Sequence, residues 1–286
     1  MKRNMIPPQN NKNSTTPTRP ALRYHGGKWR LAPFIIQHFP PHTCYVEPFG
    51  GAASVLLRKT PAHIEVYNDL YGEVVNFFRI LRERPADLIA AINLTPYSRS
   101  EFLQAQEPCT DELERARHFY VWSWQGRGRA GIKEPGGWRF MSRNTRSQTP
   151  VYDWNNNQHL WAVVGRLKEV QIENGDALTI IKRYDTPETL YYIDPPYIQN
   201  SRGKRWGSAA YVNEYKDEQH WRLSDVLHSL KGMAILSGYP SALYDELYKD
   251  WWKVERKACK DNGVKAAVEC LWLSPSCREA KTNKTI

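Results

Sequence analysis

Short apolar runs alternate with stretches of helical periodicity towards both ends of this 286-residue chain. Cys44-Tyr45-Val46 and His63-Ile64-Glu65-Val66-Tyr67 have the length and the β-branched or aromatic content of buried strands. The residues after Phe49-Gly50-Gly51 predict a helix over 52–59. Val74, Val75, Phe78 and Leu81 recur at helical spacing and predict another over 71–83. Past the middle the rhythm resumes, with strands expected at 170–172, 190–193 and 233–237 and helices at 217–230 and 241–248. Residues 252–258 and 264–273 flank Asp261-Asn262-Gly263, a strong hairpin signal. The pattern predicts an α/β fold, a doubly wound and mainly parallel sheet with a C-terminal antiparallel hairpin.

The region 85–157 interrupts that alternation and predicts an inserted, largely helical domain. Helical patterns occupy 86–92 and 110–124, and 125–146 is rich in glycine and arginine. Arg127, Arg129, Lys133, Arg139, Arg143 and Arg146 stand there against Glu134 alone, half of the chain's net charge of +10. A solvated loop would explain the glycines but not Trp122, Trp124, Trp138 and Phe140 placed among the arginines. Aromatic rings beside cations are what base stacking next to phosphate contacts uses. Arg127, Arg129, Lys133, Arg139 and Arg143 are the candidate nucleic-acid contacts. The polar ends, 1–20 and 278–286, read as a disordered basic tail and a flexible tail.

Composition narrows the partners. A basic chain favours a polyanion. Five cysteines at irregular spacing, with no C-x-x-C pair, indicate neither a zinc ribbon nor a disulfide framework and suit free thiols in a reducing cytoplasm. No apolar stretch approaches the ~20 residues that span a bilayer. No metal and no membrane are expected, and a monomer or weak dimer is.

Candidate chemistry gathers where predicted strands end. Leu190-Tyr191-Tyr192-Ile193 runs into Asp194-Pro195-Pro196-Tyr197. Neither proline offers an N–H to a ladder, so the chain leaves the sheet as a stiff corner with free carbonyls. Such a corner sets a carboxylate, a proline carbonyl and an aromatic ring at the carboxyl end of a strand. Together they suit an exocyclic amino group, with two acceptors for its N–H groups and a face for its base. Alone, the tetrapeptide serves equally as a capped, strand-ending turn. Glu47-Pro48-Phe49-Gly50-Gly51 follows the first strand, and glycines there let a ligand approach the backbone. Two common glycine fingerprints fail. No third glycine completes G-x-G-x-x-G, and Gly26-Gly27-Lys28 lacks both the upstream glycine and the Ser/Thr of a P-loop. That leaves a nucleoside-bearing ligand without a phosphate requirement and removes dehydrogenase and kinase readings. Asp69, 18 residues after Gly51, lies near the offset at which an acid takes ribose hydroxyls, although a helix cap would need the same residue. Glu65 is a weaker alternative, and Asp176 ends the 170–172 strand in a similar way.

Tyr24-His25-Gly26-Gly27-Lys28, Glu47-Pro48-Phe49-Gly50-Gly51, Asn68-Asp69, Gly175-Asp176 and Asp194-Pro195-Pro196-Tyr197 occur in an order that resembles the Dam-type DNA adenine-N6 methyltransferases. Leu236-Ser237-Gly238-Tyr239 and Glu269-Cys270-Leu271-Trp272-Leu273 look like later segments of the same family, and the likeness covers about 21–275. It implies a Rossmann-like catalytic domain at 21–84 and 158–277, and a target-recognition insert at 85–157. It also implies S-adenosylmethionine as cofactor, double-stranded DNA as partner and a cytoplasmic site in a bacterial cell or phage-infected host. The cofactor residues it implies are Tyr24, Gly26, Gly27, Lys28, Glu47, Phe49, Gly50, Gly51, Asp69, Asp176 and Asp194. Among them Phe49, Gly50 and Gly51 line the methionine end and Asp176 the adenine end. Asp194, Pro195, Pro196 and Tyr197 would carry catalysis on an adenine flipped out of the duplex, with Tyr197 stacking on the base. Tyr24 stands where some relatives have Trp, and 125–146 matches no assignable recognition region. Methylation of RNA adenine, or a silent DNA-binding relative, are the competing functions.

Overall fold

The computed structural model describes residues 16–128, 130–132, 136–142, 149–198, 211–258 and 267–282. Its strands are β1 (Cys44–Glu47), β2 (Ile64–Asn68), β3 (Val170–Glu173), β4 (Thr189–Ile193), β5 (Met233–Gly238), β6 (Trp252–Ala258) and β7 (Ala267–Leu273). They form one sheet in the order β3-β2-β1-β4-β5-β7-β6. The first five run parallel, and β7 enters antiparallel between β5 and β6. The expected α/β sheet and its antiparallel C-terminal pair are both present. The hairpin turn at Asp261-Asn262-Gly263 lies outside the described residues.

Strand periodicity explains the two cores. On β1, β4 and β5, Tyr45, Leu190, Tyr192 and Ile235 pack on one face, and Val46, Tyr191, Ile193, Ala234 and Leu236 on the other. Both faces are therefore apolar, as a parallel sheet covered on both sides requires. The first face carries α2 (Gly72–Glu83), α3 (Pro85–Leu94), α5 (Glu112–Gln125) and α7 (His159–Leu167). The second carries α8 (Ala177–Arg183), α9 (Asp217–His228) and α10 (Ala242–Leu247). Short helices complete the first side: α1 (Ala32–Ile36), α4 (Arg99–Gln104), α6 (Pro150–Asn155) and α11 (Pro275–Thr282). Chain order reverses between β1 and β4, so their carboxyl ends diverge and leave a crevice.

The helices of the 85–157 segment share the core of the sheet. Phe77 of α2 stacks on Tyr120 of α5 at 6.0 Å, and Tyr120 meets Trp154 of α6 at 5.5 Å. Three sequence expectations change. Residues 52–59 form successive turns and no α-helix. Ala53 has a positive φ of 52°, and the Leu56 N–H is taken by the Glu47 carboxylate at 2.7 Å, so helical bonding cannot propagate from Gly51. Arg19, expected in a loose tail, is anchored to the Asp153 and Asn156 carbonyls and lies 4.1 Å over the Trp124 ring. The other expected tail, from Arg278, continues α11 as far as Thr282.

Candidate active site

Four loops converge on the crevice, and a side chain on β2 ties three of them. Asn68, fully buried, donates to the Pro48 carbonyl at 2.8 Å and the Gly175 carbonyl at 3.0 Å, and accepts from the Gly175 N–H at 2.9 Å. The loops after β1, β2 and β3 are thus held at one height. Asp69 follows. Its carboxylate accepts from the Gly51 and Tyr71 N–H groups, each at 2.8 Å, and burial raises it above the usual carboxylate range against those two donors. The bond to Gly51 sets this carboxylate beside the glycine turn. The bond to Tyr71 closes a turn at the entry to α2, whose N-cap Tyr71 supplies no side-chain cap of its own.

Gly50 and Gly51 lie where no side chain fits. A Cβ on Gly50 would sit 2.3 Å from the Tyr67 ring, and Gly51 has φ +47° with the Tyr24 ring 3.1 Å from where its Cβ would be. Tyr24 is held against the insert, where His25 N–H donates to the Ala130 carbonyl at 2.8 Å. Tyr24, Gly26, Gly27, Lys28, Glu47, Phe49, Gly50, Gly51, Asp69, Asp176, Asp194, Pro195 and Pro196 all line one cleft.

Lys28 and Asp194 form its charged floor. Lys28 Nζ lies 2.9 Å from Asp194 Oδ2, donates to the Gly26 carbonyl at 2.9 Å and sits 4.6 Å over the Tyr197 ring. Burial alone would lower the ammonium, but the carboxylates of Asp194 and Glu269 outweigh it and the net shift is upward. Ser237 donates to Asp194 Oδ1 at 2.8 Å.

Tyr197 departs from expectation. It is 5 % exposed, its hydroxyl donates to Glu269 at 3.0 Å, and the edge of Tyr239 meets it at 4.6 Å. With Lys28 over its face, the ring is not an open platform, and stacking on a base requires it to turn out of these contacts. Glu65 is also elsewhere: it is buried at 2 % exposure and binds Lys59 and Arg166, at 2.6 and 2.7 Å from Oε1. Asp176 is exposed and caps α8 through the Thr179 N–H at 3.0 Å.

Glu47 is 2 % exposed and accepts from the Tyr45 hydroxyl and the Leu56 N–H, both at 2.7 Å. Burial pushes its carboxyl up to about 8 despite those donors. A folded-state value above the unfolded one gives stability that is complete below the unfolded pKa and is lost as pH rises through the folded one. Glu47→Gln keeps an acceptor for both donors and does not titrate. It should therefore flatten the fall in melting temperature between about pH 5 and about pH 8. A fall of the same size in the variant would assign the titration to another group.

The 85–157 segment divides its cations. Arg127 is exposed and lies 4.5 Å over Phe140, itself 46 % exposed and stacked on Trp138. Arg99, which carries no motif in the sequence, lies 4.9 Å over Trp138. Arg139 is different: it pairs with Asp153 at 3.0 Å. Trp124 is core at 4 % exposure, and Trp122 packs against the same core. Arg129, Lys133 and Arg143 lie outside the described residues. Among the described residues, no group of three His, Cys, Asp or Glu side chains is placed to hold a metal, and no helix is long and apolar enough to cross a membrane.

Residues 24–260 match a family model described as D12 class N6 adenine-specific DNA methyltransferase. The chain is 34% identical over 257 residues to a DNA adenine methylase of Serratia marcescens, covering 82% of this chain and 87% of that protein. It is 30% identical over 276 residues to a DNA adenine methylase of Escherichia coli, with 88% and 94% covered. A type II methyltransferase, M1.LlaDCHI, of Lactococcus lactis subsp. cremoris is 27% identical over 271 residues, with 87% and 91% covered.

Proposed function

Because the chain belongs to the D12 class N6 adenine-specific DNA methyltransferase family, we propose that it transfers a methyl group from S-adenosylmethionine to N6 of an adenine extruded from a short specific site in duplex DNA. The observation that carries this reading is the opening of Asp194, Pro195 and Pro196 onto the same cleft as Gly50, Gly51 and Asp69. The base acceptors and the nucleoside site then face each other across one crevice.

The cleft suits the cofactor on this chain's own atoms. Gly50 and Gly51 leave its wall bare of side chains, and Asp69 lies beside them with a carboxylate for a ribose diol. Ser54 lines the cleft with a buried hydroxyl that has no hydrogen-bond partner among the described residues, and no motif suggested it. We assign Phe49, Gly50, Gly51 and Ser54 to the methionine end, Asp69 to the ribose and Asp176 to the adenine. Tyr24, with the Gly26–Gly27 turn, closes the cleft beside Ala130, and Lys28 lies on its floor. S-adenosylmethionine, when bound, supplies a methyl group already activated by a positive sulfur.

The chain's part is acceptance and alignment. The lone pair of adenine N6 is delocalised into its ring, which makes it a weak nucleophile. Hydrogen bonds from its two N–H groups to Asp194 and to the Pro195 carbonyl would draw it towards tetrahedral geometry and localise that pair. As N6 bonds the methyl, the S–CH3 electron pair returns to sulfur to leave a neutral thioether. The Asp194 carboxylate stabilises the positive charge growing on N6, and N6 then gives its surplus proton to water. Flipping the base costs a few kcal/mol, which phosphate contacts by Arg127 and its neighbours help offset. Alignment contributes up to ~7–11 kcal/mol when both reactants are well oriented.

The test is incubation with radiolabelled S-adenosylmethionine and, in parallel, duplex DNA or RNA, followed by nucleoside analysis. Label in N6-methyldeoxyadenosine is the expected result. Label in RNA adenine alone selects the RNA enzyme, and no label in either selects a silent DNA-binding relative. Arg127→Ala should weaken binding across DNA sequences and reduce the salt slope by about 1. Arg139→Ala should lower stability through Asp153 instead. An unchanged slope in Arg127→Ala would return that residue to a solvated surface.

A further inference from the structure

The Asp194 carboxylate is held on both oxygens, and one holder is itself held. In the parallel pairing of β4 with β5, Tyr192 lies opposite Ile235 and Ile193 opposite Leu236. The next row sets Asp194 beside Ser237. Strand alternation also puts Tyr192 on the same face as Asp194, two residues on. The Ser237 hydroxyl donates to Asp194 Oδ1 at 2.8 Å, and the Tyr192 hydroxyl lies 3.0 Å from the Ser237 oxygen. As a carboxylate Asp194 only accepts, so Ser237 must donate to it. The Tyr192 hydroxyl must then donate to Ser237. Tyr192 is 3% exposed and Ser237 1% exposed. Both links are thus largely shielded from bulk water.

Resting on the function proposed above, we propose that Ser237, oriented by Tyr192, is the positioning residue that sets the plane of the Asp194 carboxylate for the adenine amino group. A carboxylate has about four lone-pair directions in its plane. Ser237 and Lys28 take one on each oxygen, and the remaining directions are the ones available to N6–H. Rotation of an aspartate carboxylate about its last torsion is soft. Lys28 on its flexible stem can follow that rotation, whereas Ser237, fixed in β5, cannot. Loss of Ser237 therefore costs alignment and leaves both binding sites intact. Tyr192 adds to alignment only through Ser237, as a chained donor strengthens the bond that follows it.

The experiment measures single-turnover methylation of duplex DNA by the full-length protein, with S-adenosylmethionine affinity by calorimetry and DNA affinity by anisotropy. Ser237→Ala is expected to slow transfer by on the order of 10²-fold with both affinities unchanged. Ser237→Thr, which keeps the hydroxyl, should recover most of the rate. Tyr192→Phe should give a smaller loss, and the double variant Tyr192→Phe/Ser237→Ala should be no slower than Ser237→Ala. Should Ser237→Ala lose its melting transition, Ser237→Cys replaces it in the cycle with the same expectations. Wild-type rate in Ser237→Ala, an equal loss in Ser237→Thr, or additive losses in the double variant would each overturn the assignment. Those outcomes are read against an active wild type. A wild type that leaves adenine unmethylated removes the parent reading instead.

Discussion

Asp194→Ala is expected to lower methyl transfer by at least ~10³-fold, because it removes a charge-assisted acceptor from the nitrogen at which positive charge develops. DNA affinity should remain near that of the wild type, since Arg127 and the Trp138–Phe140 stack sit on the insert and not on the corner. The same change has a structural cost. Lys28 is 6% exposed and would lose its partner at 2.9 Å. Breaking a buried pair from one side costs about 3–5 kcal/mol. The Gly26 carbonyl, the Tyr197 ring and Glu269 still face Lys28, so the lower end of that range applies here. Asp194→Asn separates the two effects. It retains one acceptor and most of the shape, but it turns an amide N–H₂ towards Ser237 or Lys28, both of which donate. Its rate should fall between those of wild type and Asp194→Ala, with a smaller loss of stability. Single-turnover rates, DNA anisotropy and denaturant melts give the three readings. An Asp194→Ala protein that methylates adenine within tenfold of wild type would remove Asp194 from the chemistry.

Much of the fold and of the cleft is visible along the chain, and what is not has identifiable physical causes. β1, β4 and β5 are legible because each is a short apolar run ending at glycine, proline or an acid. Double winding is legible because both faces of those runs are apolar. Local composition cannot reveal side chains whose partners are remote. Asn68 reaches Gly175 across 107 positions and Ser237 reaches Asp194 across 43, and neither leaves a periodic trace. The turn at 52–59 reads as a helix because its residues suit one. What prevents it is a carboxylate from β1, Glu47, capturing the Leu56 N–H. The arginine–tryptophan segment misleads for a different reason. Trp124 and Trp138 are equally aromatic and equally near arginines, but α5 turns Trp124 inward, where its indole N–H donates to the Ala21 carbonyl at 3.1 Å. Arg139 and Arg127 are likewise indistinguishable until Asp153 of α6 comes within reach of Arg139. Glu65 looks like an acid near a ligand, and is instead the anion that keeps Lys59 and Arg166 in the interior.

Gly50→Ala should damage the cofactor site severely. The new Cβ would lie 2.3 and 2.5 Å from two Tyr67 ring carbons and 2.9 Å from the Asn68 carbonyl oxygen. Tyr67 cannot yield: it is fully buried, its ring packs on Phe78 at 5.1 Å, and its hydroxyl donates to the Gly51 carbonyl at 2.8 Å. The β1 loop must move instead. That movement stretches the Gly50 N–H bond to the Asn68 carbonyl, now 2.7 Å, and lifts the Gly51 N–H from Asp69. Overpacking of this kind costs about 1–3 kcal/mol, and the lost hydrogen bonds about 1 kcal/mol each. Affinity for S-adenosylmethionine should fall by roughly tenfold or more, one factor of ten for each ~1.4 kcal/mol lost from the site. A control on the same chain is Gly72→Ala at the start of α2, where the nearest atom to a new Cβ is 3.7 Å away. It should leave affinity unchanged and alter stability by no more than ~1 kcal/mol, in the stabilising direction. Calorimetric titration with denaturant melts in the presence and absence of cofactor reads both variants. If Gly50→Ala bound S-adenosylmethionine as tightly as Gly72→Ala, the loop after β1 would not be the wall against which the cofactor lies, and its place in the cleft would have to be sought nearer α8.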